Sequence, residues 1–330
     1  MNIVLDEAYR NASCNRFVEH QIRYFPSSIT DPALLAEILI DAEVIGFRRV
    51  LPFPFEPTLV ERAENLKFIQ RSGSGADWFD LHYLTENGIL VAVNSGVNAP
   101  SVAEHAITLA LLSLRRTLDF IDTMNDGQWV RDLPGEPPMI LNGKTVGVLG
   151  LGAIGSRVAK AMIGLGAKVI CWQPNTSVDL PGGAAWKDFD TLIASSDVVT
   201  LHVPLLSETI SMIGEREFGM MKPNTVFINT SRGQVVDQSA LIEALKSRRI
   251  RAAGLDVFED EPLAPDHPLR HMQNVITTPH VGGAGVEIAE RQVESTLDNI
   301  DLFLSGKCPE RLVNPEILKN GRVRAKNLLR

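Results

Sequence analysis

The chain has 330 residues, a length for two or three domains. Hydrophobic residues make up 45% and charged residues 22%, which excludes a disordered chain and a disulfide-stapled miniprotein. Lys and Arg number 32 against 40 Asp and Glu, a net charge of −8, so no nucleic acid is expected as a partner, although local arginines can still hold a small anion.

Cys14, Cys171 and Cys308 are scattered without metal-ligand spacing, and no metal is expected. So sparse and odd a count fits a reducing compartment, the cytoplasm. The opening MNIVLDEAYR carries acids too early for a signal peptide and reads as a strand. The longest dense apolar stretch, 106–114, falls far short of the ~18–20 residues that span a bilayer, so no membrane partner is expected.

In chain order, Ile3–Leu5 reads as a strand and Asp31–Asp41 as a helix, with Asp31 as cap and Pro32 at the first helical position. Strand Glu43–Gly46, helix Pro57–Glu64, strand Phe68–Arg71, helix Leu81–Asn87 and strand Leu90–Ala92 continue a β-α-β rhythm that predicts a parallel sheet. Ser101–Met124 reads as one long helix, with Ser101 and Glu104 in a capping-box pattern and apolar residues on two faces. A proline-rich arm, 133–143, follows. Strands are expected at 145–149, 168–172, 197–201, 225–228, 252–256 and 275–277, with helices near 153–165, 188–193, 214–220 and 238–247. Six parallel strands with crossover helices make a doubly wound sheet. Helix Glu287–Leu304 ends the pattern, and the tail 305–330 reads as polar and mostly extended. The chain should hinge near 98–102 and 284–288.

Thr145–Leu149 runs directly into Gly150-Leu-Gly152-Ala153-Ile154-Gly155 and then a helical pattern. This is G-x-G-x-x-G between strand and helix, the context that a dinucleotide needs. Gly150 permits the tight turn, Gly152 lets a pyrophosphate approach the backbone, and Gly155 lets helix and strand pack closely. The anion then meets free N–H groups at the helix start. At the end of the next strand, where an acid would bind the adenosine ribose, stands Gln173. Glutamine can bond ribose hydroxyls but does not repel a 2′-phosphate, so NAD is expected with NADP possible.

Three later segments fall at carboxyl ends of expected strands, where ligands of such sheets bind: Asn229-Thr-Ser-Arg-Gly233, Gly254-Leu-Asp-Val-Phe-Glu-Asp-Glu-Pro262 and Thr278-Pro-His-Val-Gly-Gly283. With Ser101-Val-Ala-Glu-His105, Leu201-His-Val-Pro-Leu205, Thr209 and Asp266-His-Pro-Leu269, the sequence resembles the D-isomer-specific 2-hydroxyacid dehydrogenase family over essentially the whole chain. Relatives include glyoxylate/hydroxypyruvate reductases and phosphoglycerate dehydrogenases. The resemblance implies an α/β protein of two domains. A doubly wound, Rossmann-type cofactor domain (101–286) is inserted into a smaller flavodoxin-like substrate domain (1–100 and 287–330).

The resemblance also implies the site. Hydride exchange between a nicotinamide and the C2 carbon of a small anionic 2-oxo or D-2-hydroxy acid requires a proton donor, and His280 matches it. Glu261 matches the carboxylate that favours the imidazolium. Arg232 matches the arginine that binds the substrate carboxylate and polarises the carbonyl. Backbone amides of Ser74 and Gly75 match the carboxylate-binding loop. Asp256 should hold the nicotinamide carboxamide, helped by Thr230, Ser231, Arg232, His280 and Gly282. Val203, Pro204 and Thr209 should line the adenosine and phosphate side.

A homodimer through the cofactor domain is expected from the two-faced helix and the arm. The alternative is an idle dinucleotide sensor resembling transcriptional corepressors; the added interaction tail that would favour it is not seen. Arg48, Arg49 and Arg71 are candidates to read a second anionic group on the substrate.

Overall fold

The computed structural model describes residues 1–48, 53, 55–175, 178–319 and 323–325. It divides into two compact units, Met1–Asn98 with Gly285–Arg330, and Ala99–Ala284. Among the described residues no helix is long and apolar enough to cross a membrane.

The first unit holds β1 (Asn2–Asp6), β2 (Gln21–Phe25), β3 (Val44–Phe47), β4 (Phe68–Arg71) and β5 (Leu90–Val93) in the parallel order β2-β1-β3-β4-β5. This is the flavodoxin-like order. β3, β4 and β5 are buried throughout because both faces are covered. Successive side chains point to opposite faces. Ile45, Ile69 and Val91 pack with α2 (Pro32–Leu39), α3 (Pro57–Val60) and α4 (Leu81–Glu86). Val44, Phe68 and Leu90 pack with the C-terminal helix, Val286–Leu304, and with Tyr9 and Phe17 on either side of α1 (Arg10–Ser13).

The second unit holds β6 (Thr145–Leu149), β7 (Lys168–Trp172), β8 (Ala184–Trp186), β9 (Val198–Leu201), β10 (Val226–Asn229), β11 (Ala252–Leu255) and β12 (Val275–Thr277). The order β12-β11-β10-β9-β6-β7-β8 is parallel throughout and reverses direction between β6 and β9. Val146, Val198 and Val226 face α5 (Ala99–Arg115) and α7 (Gly155–Gly164). Leu201, Phe227 and Leu255 face α8 (Phe189–Ser195), α9 (Glu215–Met220) and α10 (Gln238–Lys246).

Several elements differ from the sequence reading. β2 and β8 were not expected: β2 is an edge strand with only Phe25 buried, and β8 has three residues, none buried. The helix expected over Pro57–Glu64 is a single turn. The long helix starts at Ala99, and Ser101 is not its cap; the Ser101 hydroxyl instead donates to the carbonyls of Gly282 (2.8 Å) and Ala284 (2.6 Å). It breaks at Arg116, which adopts φ 51°, and resumes as α6 (Thr117–Asn125).

A left-handed non-glycine residue costs about 1–2 kcal/mol. Here the turn frees the Arg116 guanidinium to bond Asp119 (2.6 Å) and the carbonyls of Pro134 (2.9 Å) and Glu136 (2.7 Å). Buried Arg251 pairs with Glu136 at 3.1 Å and donates to the Pro137 carbonyl. Two guanidiniums thus fasten the proline arm to its own unit.

The tail is not simply polar and extended. Asn314, Ile317, Val323 and Ala325 are buried. Asn314 accepts from the Val91 N–H at 2.9 Å and donates to Thr85 Oγ1 (3.1 Å) and the Ile89 carbonyl (2.9 Å). Asn314→Ala should therefore destabilise the first unit by about 3 kcal/mol, because it strands a buried N–H and carbonyl without partners. Urea denaturation measures this, and an unchanged midpoint contradicts it.

His202 follows β9, and its Nε2 lies 2.9 Å from Thr200 Oγ1. Burial pushes it down to about 3, from an ordinary 6.5. The folded chain then keeps His202 neutral where the unfolded chain protonates it. Stability from this residue is complete above pH ~6.5 and is lost as pH falls towards ~3, at up to about 1.4 kcal/mol per pH unit. His202→Asn should flatten the acid dependence of unfolding between pH 6 and 4 by that slope; parallel wild-type and variant curves would refute it.

Candidate active site

The glycine turn lies where the strand order reverses, the crevice at which doubly wound sheets bind ligands. Gly150 has φ +89°, and a Cβ there would meet the His202 carbonyl oxygen at 2.7 Å. A Cβ on Gly155 would overlap the Gly150 carbonyl. These two glycines are required by the protein's own packing. Gly152 is not: nothing lies within 4 Å of its Cβ direction. Its missing side chain leaves open space beside the start of α7, where Ile154 supplies no side-chain cap. Gly152, Ala153 and Ile154 thus border a helix N-terminus open to an anion. That geometry fits a dinucleotide pyrophosphate.

The Gln173 carbonyl oxygen accepts the Leu151 N–H at 3.0 Å, and its amide donates to Asn175. Gln173 therefore braces the glycine turn. Val203 is buried and Pro204 exposed. The Thr209 hydroxyl donates to Pro204 O at 2.7 Å and accepts the Leu206 N–H at 2.8 Å, so it closes the 204–209 turn.

Past β10, the Asn229 side chain accepts from the Ser231 N–H (3.0 Å) and hydroxyl (2.8 Å) and donates to the Arg232 carbonyl (2.9 Å). This fixes a tight loop in which Arg232 Nη1 donates to Ser231 O at 2.7 Å. The Thr230 hydroxyl is buried without a partner among the described residues, an orphaned group that suits a bound ligand. A Cβ on Gly233 would overlap the Phe258 carbonyl. That glycine lets the Arg232 loop lie directly against the loop that carries Glu261.

His280 and Glu261 meet at 2.7 Å, Nδ1 to Oε2, while Glu261 Oε1 accepts the Phe258 N–H at 3.0 Å. Burial raises the Glu261 carboxyl. The hydrogen bond and charge of His280, the Phe258 N–H and the charge of Arg232 outweigh it and hold the group below its usual range. Glu261 therefore stays ionised through the neutral range, and Glu259 and Asp260 are exposed bystanders. With Nδ1 on Glu261, no protein acceptor meets His280 Nε2 among the described residues. The ring is half-exposed, so that nitrogen is available to a reactant.

Asp256 is almost fully buried, with its carboxylate turned into its own loops. Oδ1 accepts from Thr278 Oγ1 (2.6 Å) and the Val281 N–H (2.9 Å), and Oδ2 from the Gly282 N–H (2.7 Å). One acceptor position on Oδ2 remains.

In the first unit, Ser74 donates to Asn98 Oδ1 at 2.8 Å, and Gly75 O accepts from the Arg71 guanidinium. Arg71 is buried and lies 5.7 Å over the Trp78 ring, so it braces this loop. Buried Asn94 is a hub that the sequence did not single out. Its N–H bonds Gly73 O (3.0 Å), and its side chain joins Gln70 and Thr296. Arg48 lines a shallow groove with Glu290 and Glu294, and Arg49 lies outside the described residues. A reader of a second anionic group therefore gains no support from Arg48 or Arg71.

Residues 107–282 match the family model described as D-isomer specific 2-hydroxyacid dehydrogenase, NAD binding domain. The chain is 40% identical over 269 residues to a glyoxylate reductase of Thermococcus litoralis, covering 79% of this chain and 80% of that relative. A D-lactate dehydrogenase from Aquifex aeolicus, complexed with NAD and lactic acid, matches with a TM-score of 0.81 at 29% identity, covering 97% of this chain and 98% of that one. An acyclic imino acid reductase in complex with NADPH and D-Arg matches with a TM-score of 0.83 at 26% identity, over 95% and 100% of the two chains. The family model spans the glycine turn, the Arg232 loop, Glu261 and His280, and on these matches the chain belongs to the D-isomer specific 2-hydroxyacid dehydrogenase family.

Proposed function

We propose that the protein reduces the C2 carbonyl of a small 2-oxo acid, or oxidises the matching D-2-hydroxy acid, with NAD as cofactor. The observation that carries this reading is the His280–Glu261 pair, with Nε2 left open and Arg232 acting on the same carboxylate. The bound nicotinamide would supply or take the hydride at C2. His280 Nε2 passes the proton to the carbonyl oxygen, and the Glu261 carboxylate stabilises the imidazolium that must be present beforehand. The Arg232 fork binds the substrate carboxylate and polarises the carbonyl.

Gly150, Gly152, Ala153, Ile154 and Gly155 receive the pyrophosphate. Val203, Pro204 and Thr209 line the adenosine side, and Gln173 tolerates NADP because it bears no charge. The spare acceptor position on Asp256, with Thr230, Ser231 and Gly282, takes the nicotinamide carboxamide. Backbone amides of Ser74 and Gly75 are further donors to a carboxylate. Three free thiols fit a cytoplasmic setting.

His280→Ala should lower kcat for 2-oxo acid reduction by about 10²–10⁴-fold while leaving NADH affinity within a factor of two or so. Glu261→Gln should move the alkaline limb of the reduction profile to lower pH, because a neutral amide does not favour the imidazolium. A panel of 2-oxo acids assayed with NADH and NADPH provides the reference rates. Near-full kcat in His280→Ala would sink the reading.

The protein is also proposed to be a homodimer through its second unit. No residue of α6 is buried, and Leu118, Ile121, Met124, Trp129 (81% exposed) and Ile140 (59%) leave a broad apolar surface beside the fastened arm. Light scattering at micromolar concentration should give twice the chain mass, and the double variant Ile121→Asp, Met124→Asp should give the single mass. A monomeric wild type contradicts the proposal.

A further inference from the structure

His280 occupies an uncommon backbone position, φ +53° without being glycine. Such a conformation persists where its surroundings over-determine it. Asp256 contacts three successive residues here, sharing the His280 N–H with the Thr278 carbonyl (3.0 Å). Its carbonyl accepts the His280 N–H at 2.9 Å, and its carboxylate accepts those of Val281 (2.9 Å) and Gly282 (2.7 Å). A Cβ on Gly282 would come to 2.9 Å from Asp256 Oδ2 and 3.4 Å from the His105 ring, so only glycine lets the loop reach the clamp without displacing it.

The clamp is itself aimed. Thr278 Oγ1 lies 2.6 Å from Asp256 Oδ1 and 2.9 Å from His105 Nε2. A hydroxyl has one proton, and here the carboxylate takes it. The hydroxyl oxygen must then accept from His105, which fixes His105 with a proton on Nε2. Ser101, one helical turn before His105 on α5, donates to the carbonyls of Gly282 and Ala284. Helix α5 therefore holds the whole 278–284 loop from one face.

We infer that Thr278, held between His105 and Asp256, is a positioning residue for His280. The inference rests on the acid role proposed above for His280. Among the described residues, the Thr278 side chain makes no hydrogen bond to the His280 ring or to Glu261; its partners are Asp256 and His105. It acts by holding the Asp256 carboxylate in the orientation that bonds the Val281 and Gly282 N–H groups, and so keeps the His280 ring 2.7 Å from Glu261. Among the described residues, the titratable and charged groups around His280 are Glu261, Arg232 acting on Glu261, Asp256 beneath the loop, and His105 3.4 Å behind Asp256.

Thr278→Val keeps the shape and removes the hydroxyl, and Thr278→Ser restores it. The valine variant should lower kcat for 2-oxo acid reduction about tenfold, and serine should recover most of it. In ¹⁵N-labelled protein without cofactor, the resonances of the His280 ring nitrogens should shift in the valine variant, as the Glu261 contact loosens, and return with serine. If the valine variant does not fold, His105→Phe removes the donor behind Thr278 and should move both readouts the same way.

A wild-type kcat and unmoved His280 ring resonances in the valine variant would overturn the inference. So would a loss that serine fails to restore, which would mean that Thr278 acts through packing alone. The His280 acid role fails separately, by near-full activity of His280→Ala, whereas the ring resonances report on Thr278 without any turnover.

Discussion

Parallel pairing places the carboxyl end of every strand on one edge of a sheet, and the chemistry of the second unit depends on that constraint. The glycine turn leaves β6, Gln173 leaves β7 and Val203 leaves β9. The Arg232 loop leaves β10, Asp256 leaves β11 and the His280 loop leaves β12. Residues scattered over more than a hundred positions are brought to one edge because the strands between them are short and pair in parallel. At the reversal of strand order the backbone of Gly150 rests against the carbonyl of His202. That contact leaves no room for a methyl group, and it sets where the turn can aim its N–H groups.

The sequence made the framework of this edge legible because the strands concerned are continuous apolar runs and the glycine turn follows one of them directly. β2 and β8 were hidden for the converse reason. They are edge strands with few buried positions, and pairing with a neighbour rather than a local pattern makes them strands. The break at Arg116 carries no proline or glycine to announce it. It exists because a guanidinium finds carbonyls of an arm about twenty residues away. Ser101 and Glu104 satisfied a capping pattern, yet the helix begins earlier and Ser101 serves the 282–284 loop. The tail reads as polar from its many Lys, Arg, Glu and Asn residues, and composition does not reveal that one of them, Asn314, fastens it to buried backbone.

Two histidines at strand ends show how environment divides one side-chain type into separate uses. His202 is enclosed, and burial keeps it uncharged far below neutrality. His280 stands half-exposed beside an ionised carboxylate, with one ring nitrogen committed and the other open. A carboxylate held low by its partners is a dependable anion, so Glu261 is a charged partner for His280. Arg232 contributes to that same depression, so the group that would bind an anionic substrate also keeps Glu261 charged.

Under the proposed function, the motifs around this pair divide into residues that would face a reactant and residues that hold them. Arg232 and the open nitrogen of His280 are of the first kind, and Glu261 backs His280. Asn229, Gly233, Thr278 and Gly282 belong to the second. Asn229 folds the Arg232 loop onto itself, and Gly233 lets it touch the Glu261 loop. Thr278 and Gly282 meet in the Asp256 carboxylate. Asp256 cannot turn to serve a ligand fully without releasing the loop of His280. Its carboxylate accepts from Thr278, Val281 and Gly282 among the described residues, while its backbone carbonyl accepts the His280 N–H. Under the proposed function, a residue so placed would link the grip on the cofactor to the aim of the acid.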